Sequence, residues 1–175
     1  NYTTGGFLWA ALENSIEEHP DIDRRFTPMD ESVYRDLRFW DMPPVHIAKL
    51  GEIIRMGDHI VGTDKIGHLI DTGFNYYEIA YIDGEGEEAA FKYGDDTELG
   101  YYGLATTGVM SYADLVANYE GMLFWGHVLG DKIPTDNPFI VCKDNNWVLN
   151  REIDLSEYLN AGMDEAINCN EYWDV

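Results

Sequence analysis

The segment GTDKIGHLIDTGFNYYEIAYI, residues 62–82, constrains the fold more than any other part of the chain. Thr63 or Asp64 is placed to cap a helix, and Ile66, Ile70, Phe74, Tyr77 and Tyr81 then form a long apolar stripe at helical spacing. A helix of this length and aromatic content has to be covered by others, so residues 64–82 are expected to be a buried central helix. Asp64, His68, Asp71 and Asn75 recur at four and three residues and share a polar seam on it. An Asp and a His four apart are one way to hold a metal; the other reading is an intrahelical hydrogen bond. Gly67 and Gly73 each lower helix propensity by up to ~1 kcal/mol, which points to close approach of another element there.

A second organised stretch runs from Glu98 to Trp125. Ser111 is an N-cap candidate with Asp114 at the third helical position, and Leu115, Tyr119, Met122, Leu123 and Trp125 supply the apolar helix. Before it, Gly100, Gly103 and Gly108 with Thr106 and Thr107 make a linker whose backbone can turn tightly and approach a ligand. Glu98 is thereby set beside a wall of hydroxyls. Its alternative role is a solvated carboxylate at a helix end, and that of Asp114 is to cap its own helix.

The 175 residues, 45% hydrophobic, suffice for one core, and a single domain over 1–175 is expected. A net charge of −22 excludes a nucleic-acid surface or an anionic membrane as partner, since both need a basic face. Between Ile66 and Gly130 the only Lys or Arg is Lys92, against eleven Asp and Glu, so a cationic partner fits that half better. The other use of such a surface is solubility. No run is long enough for a membrane span. The chain begins at Asn1 without an apolar leader, which reads as a trimmed chain or a mature form whose signal was removed. Cys142 and Cys169 are expected to pair in an oxidising, secreted or periplasmic setting; closing their loop of 27 residues would be worth about 3.6 kcal/mol. Two buried thiols are the alternative.

Taken in order, residues 6–18 are expected as a helix ended by His19-Pro20, and residues from Pro28 up to Pro43-Pro44 as a second. Val45, Ile47, Leu50, Ile53 and Ile54 read as a third, stopped near Gly57. Residues 87–102 begin as helix and are expected to break around Gly94, Asp95 and Asp96. His127 and Gly130 close the helix that Ser111 opens. PFIVCKDNNWVLNREI reads as two strands around Asp144-Asn145-Asn146, and Asp154 to Glu157 as a helix start.

Two resemblances follow from these motifs. Asp64-Lys65-x-Gly67-His68 with Ser111-x-x-Asp114-x-x-x-Asn118-x-x-Gly121 resembles the pattern of VanZ-like envelope proteins, over about a third of the chain. Those proteins are largely membrane-embedded and this chain lacks their spans, so the resemblance implies a polar cluster of Asp64, His68, Asp114 and Asn118. Glu98 with Ala105-Thr106-Thr107-Gly108-Val109 is similar to helical, lysozyme-like glycan hydrolases, which set a catalytic Glu before a threonine- and glycine-rich excursion and a helix.

The second resemblance implies glycosidic-bond cleavage with Glu98 as general acid, its pKa raised by burial among Tyr101, Tyr102 and Leu104. Asp95, Asp96 or Asp114 would be the base or stabiliser, and Thr106 or Thr107 would position water. Tyr101, Tyr102, Tyr112, Asn118 and His68 are the expected substrate contacts, Trp147 is a further aromatic near a loop, and no cofactor is called for. The expected fold is mainly α and lysozyme-like, with about seven helices around residues 64–82 and one hairpin near the C-terminus as the only sheet. The alternative function is a non-catalytic metal- or ligand-binding envelope domain using Asp64, His68, Asp114 and Asn118.

Overall fold

The computed structural model describes residues 12, 14–36, 52–100, 103–165, 168 and 170–172, with every side chain among them except those of residues 105 and 106. The expected central helix, α1, runs unbroken over residues 63–82. Thr63–Gly67 and Gly73–Tyr77 are α-wound, while His68–Thr72 and Glu78–Ile82 are π-wound. Its buried line is Ile66, Leu69, Gly73, Tyr76, Tyr77 and Ala80; of the expected stripe Ile66 and Tyr77 are buried, whereas Ile70, Phe74 and Tyr81 are not. Backbone contact selects that face. A Cβ on Gly73 would lie 2.5 Å from Cα of Gly121, and one on Gly121 would lie 2.1 Å from the Leu69 carbonyl oxygen. Phe74, displaced from the line, packs edge-on against Trp125, whose indole donates to the Ile70 carbonyl inside the π-wound turn at 2.9 Å.

The partner is α4, Tyr112–Leu129, closed by the left-handed Gly130 as expected. Contacts Lys65 to Asp114, His68 to Asn118 and Gly73 to Gly121 advance together along both chains, so α1 and α4 run in the same sense. Parallel helices need a return segment between them, and α2, Glu87–Leu99, provides it. It starts by the far end of α1, where Tyr81 bonds to Glu87, and passes Tyr76 and Asn75, which meets Tyr93 at 3.4 Å. It ends with Glu98 buried near His68. The break expected at Gly94 does not occur: a Cβ there would sit 1.5 Å from the Tyr76 hydroxyl, so this glycine makes room for a ring within a continuous helix. A short helix, α3 (Leu104–Thr107), then leads through the left-handed Gly108 into α4.

The expectation of a mainly α, lysozyme-like fold with one hairpin as its only sheet is corrected by three small antiparallel sheets among the described residues. In the first, β1 (Arg24–Arg25), β2 (Ile53–Met56) and β3 (His59–Gly62) pair in that order. Ile53 and Ile54, read as the end of a third helix, instead lie in β2, where Ile54 pairs with Val61 and both enter the core. Gly57 turns the hairpin with φ +58°. The expected hairpin near the C-terminus forms from β5 (Ile140–Lys143) and β6 (Asn146–Leu149), with Asp144 and Asn145 both at positive φ. The third sheet pairs β4, Val109–Ser111, with β7, Asn170–Tyr172, drawing the C-terminal segment to the head of α4.

Residues 14–18 are helical as expected, and Met29–Glu31 form one 3-10 turn of the proposed second helix. That helix does not continue as expected: Ser32 is extended and residues 33–36 form turns, while its remainder from residue 37 and the 45–50 part of the third lie outside the described residues. Cys142 is a free, exposed thiol, so the expected disulfide is not made; Cys169 lies outside the described residues. β7, from Asn170 onward, pairs with β4 and not with the hairpin that holds Cys142.

The α1–α4 crossing gives a direct test. Gly73→Ala should gain up to ~1 kcal/mol in helix propensity but lose more to overlap with the Gly121 backbone, a net loss of about 1–2 kcal/mol in urea unfolding. Unchanged or higher stability would show that the two helices do not meet backbone to backbone.

Candidate functional site

The parallel arrangement sets the first turns of α1 and α4 side by side, and the site lies between them. Ser111 caps α4 as expected, its hydroxyl accepting from the Asp114 amide at 3.4 Å. The Asp114 side chain does not serve as the cap. Its Oδ1 lies 2.5 Å from Nζ of Lys65, which also meets Oδ2 of Asp64 at 2.8 Å and Oε1 of Glu165 at 2.7 Å. The Lys65 side chain is 1% exposed, and burial opposes its charge. The three carboxylates outweigh burial and hold the ammonium pKa well above its ordinary value. Ser111 also donates to Oε1 of Glu165 at 3.1 Å, linking the cap to the C-terminal segment.

His68 stands one turn further along α1. Its Nδ1 is 3.0 Å from Oδ1 of the fully buried Asn118, and its Nε2 faces Oδ2 of Asp114 at 3.6 Å. An amide oxygen only accepts, so Nδ1 carries the hydrogen and the neutral ring keeps its lone pair on Nε2, toward Asp114. Burial disfavours the imidazolium, but the charge of Asp114 prevails and raises the His68 pKa.

Glu98, 1% exposed, completes the group. Burial first, then repulsion from Asp114, raises its pKa from 4.5 to about 7. Its place in the last turn of α2 adds the negative end of that helix to the same effect. A Cβ on Gly103 would lie 1.9 Å from the Glu98 carbonyl oxygen and 2.8 Å from Oε2, so the glycine linker closes over Glu98 itself.

One ligand atom from each of His68, Glu98 and Asp114 lies within 4.8 Å of the others, and the same holds for Asp64, Asp114 and Glu165. The four residues of the VanZ-like pattern, Asp64, His68, Asp114 and Asn118, thus fall in one cluster, together with Glu98. Other expected site residues fall elsewhere. The Thr107 hydroxyl donates within its own turn, with Gly103 O at 3.0 Å and Val109 O at 3.1 Å. Tyr112 bonds to Glu171 at the surface, Asp96 pairs with Lys92, and Asp95 is exposed. Trp147 is exposed on the β5–β6 hairpin, Asn75 turns to Tyr93, and Asp71 is half-buried beside the cluster. Tyr101 and Tyr102 lie outside the described residues, as does the side chain of Thr106.

Sequence reasoning missed Lys65 and Glu165 as members. Lys65 lay inside the quoted Asp-Lys-x-Gly-His pattern, four residues before the buried Leu69, and that spacing was its signal. Glu165, 100 positions from Lys65, had none. Tyr34 is a third: burial, then the charges of Glu165 and Asp64, raise its phenol pKa.

No family model, curated protein or solved structure matches the chain.

Glu98 supplies a pH test. Because its folded pKa is raised, its contribution to stability is fully present below about 4.5 and lost as pH rises through about 7. The span corresponds to roughly 3 kcal/mol. Glu98→Gln removes this dependence, so its stability relative to wild type should rise by up to that amount between pH 4.5 and pH 8 in urea unfolding. A difference that does not change with pH would show that Glu98 titrates as it would in water.

Proposed function

We propose that the protein is a divalent-cation-binding domain whose ion is held by His68, Glu98 and Asp114. The observation that carries this reading is the charge of the cluster. Four carboxylates, Asp64, Glu98, Asp114 and Glu165, face one ammonium, a formal excess of three negative charges, with Glu98 and Asp114 at the buried side and Asp64 and Glu165 at the solvent side. A proton on Glu98 relieves one of these charges; a divalent ion relieves two. The His68 to Asp114 separation of 3.6 Å is near the roughly 3.3 Å between ligands of a tetrahedral zinc with ~2.0 Å bonds. Asn118 supports the imidazole on its far nitrogen, as partners of metal-bound histidines do. One imidazole and two carboxylates suit zinc or manganese better than calcium. Three protein ligands leave a coordination position free, the pattern of ions that bind or activate small molecules.

Zinc or manganese at a hundredfold over its Kd should stabilise the fold by about 2.7 kcal/mol, a melting shift of roughly 5–10 °C. His68→Ala should abolish the shift, and magnesium should give little. An equal shift in His68→Ala, or none in wild type, would remove the cation from this site.

A second reading, glycan hydrolysis in a secreted or periplasmic setting, is favoured by one observation: Glu98 titrates near 7, as a general acid must. The burial of Glu98 weighs against it, since a sugar chain has to reach that oxygen. On this reading wild type cleaves deacetylated, cationic cell-wall glycan faster than the acetylated form, most strongly at low salt. Glu98→Gln then loses turnover while keeping binding. Equal turnover in the variant would sink it.

A further inference from the structure

Two triads of ligand-bearing side chains share Asp114: His68, Glu98 and Asp114 on one side, Asp64, Asp114 and Glu165 on the other. The second is already filled. Nζ of Lys65 lies 2.8, 2.5 and 2.7 Å from oxygens of Asp64, Asp114 and Glu165, so one ammonium pairs with three carboxylates, donating hydrogen bonds to Asp64 and Glu165. Asp114 divides its oxygens between the two sides, Oδ1 toward the ammonium and Oδ2 toward His68. A carboxylate shared in this way is the arrangement that joins the two ions of a binuclear centre, typically ~3.5–4 Å apart. We propose that the Lys65 ammonium takes the place of a second metal ion, so that a cluster laid out for two cations accepts one divalent ion and excludes another.

Charge counting agrees with the geometry. With four ionised carboxylates, the ammonium and one divalent ion leave a net −1, and a further divalent ion would have to displace a lysine that is tied to three acids. Without the lysine the four carboxylates would match two divalent ions. A lysine serving only to pin the C-terminal segment would make no such prediction about ion number. The inference rests on the cation reading above and is tested separately from it.

The test is manganese stoichiometry by equilibrium dialysis, on wild type and on Lys65→Ala, which empties the ammonium position and keeps its three acids. Wild type should bind one ion per chain, with the six-line electron paramagnetic resonance spectrum of an isolated ion even at excess metal. Lys65→Ala should bind two, with the spectrum of a coupled pair. If that variant folds only with metal, circular dichroism reads the same number, folding being complete at two equivalents. Two ions on wild type overturn the inference. So does a Lys65→Ala chain that folds with one ion, or that fails to fold in excess metal. No ion on wild type overturns the cation reading and this inference together, whereas one ion on both proteins overturns this inference alone.

Discussion

The rest of the structure depends on burying the Lys65 ammonium among three carboxylates. Taking such a cation out of water costs several kcal/mol, and the geometry has to be good merely to offset that. What the cluster contributes is therefore placement more than net stability. Asp64 lies next to Lys65 on α1, Asp114 comes from α4, and Glu165 comes from the C-terminal segment that β7 anchors against β4. Removing the cation would leave these three segments with like charges facing one another. The glycine crossing fixes the same pair of helices further along, and the Trp125 to Ile70 bond lies close to it. A slide of one helix along the other would misplace the ion cluster and the backbone contact together.

The sense of the helices explains how Glu98 joins the site. Parallel neighbours set two N-termini at one end, and both carry an acid in the first turn, Asp64 and Asp114, where the helix dipoles favour negative charge. The connecting helix α2 must return to that end, and it arrives with its C-terminus, the unfavourable end for the carboxylate of Glu98. One topology thus places two acids in a favourable field and a third in an unfavourable one. For Glu98 that unfavourable end acts together with burial to raise the pKa.

Features written in local sequence were legible: the Ser111 cap, the Gly130 stop, the hairpin about Asp144 and Asn145, and the length of α1. Each depends on residues within a few positions of one another. Features set by tertiary contact were not. Gly94 read as a breaker because Tyr76, the ring it accommodates, lies 18 positions back, and the stripe on α1 shifted because Gly73 had to face Gly121. Ile53 and Ile54 fit a helical stripe as well as a strand, and only the pairing of Ile54 with Val61 decides between them. Within the site, Glu98, His68, Asp114 and Asn118 were named from motif and spacing. Thr107 was chosen for a hydroxyl that the fold uses within its own turn, Tyr112 was chosen as an aromatic near a loop and instead bonds to Glu171, and Lys65 was passed over because a lysine is ordinarily a surface residue.

Cation binding and acid catalysis draw on one residue for one reason. The cluster has more negative charge than its lysine can balance, and Glu98, the least exposed acid in it, is where the surplus is relieved. A proton there makes Glu98 a general acid and leaves Asp114 to the lysine and to His68. A metal ion there requires the proton to leave, and it takes His68 through the nitrogen that faces Asp114. These are exclusive states of the same carboxyl group, so the protein cannot use Glu98 as ligand and as acid in one step. Burial decides which state the fold serves better: a small ion can be enclosed by the Gly103 turn, whereas the leaving oxygen of a sugar chain would have to come within about 3 Å of an atom that this turn covers.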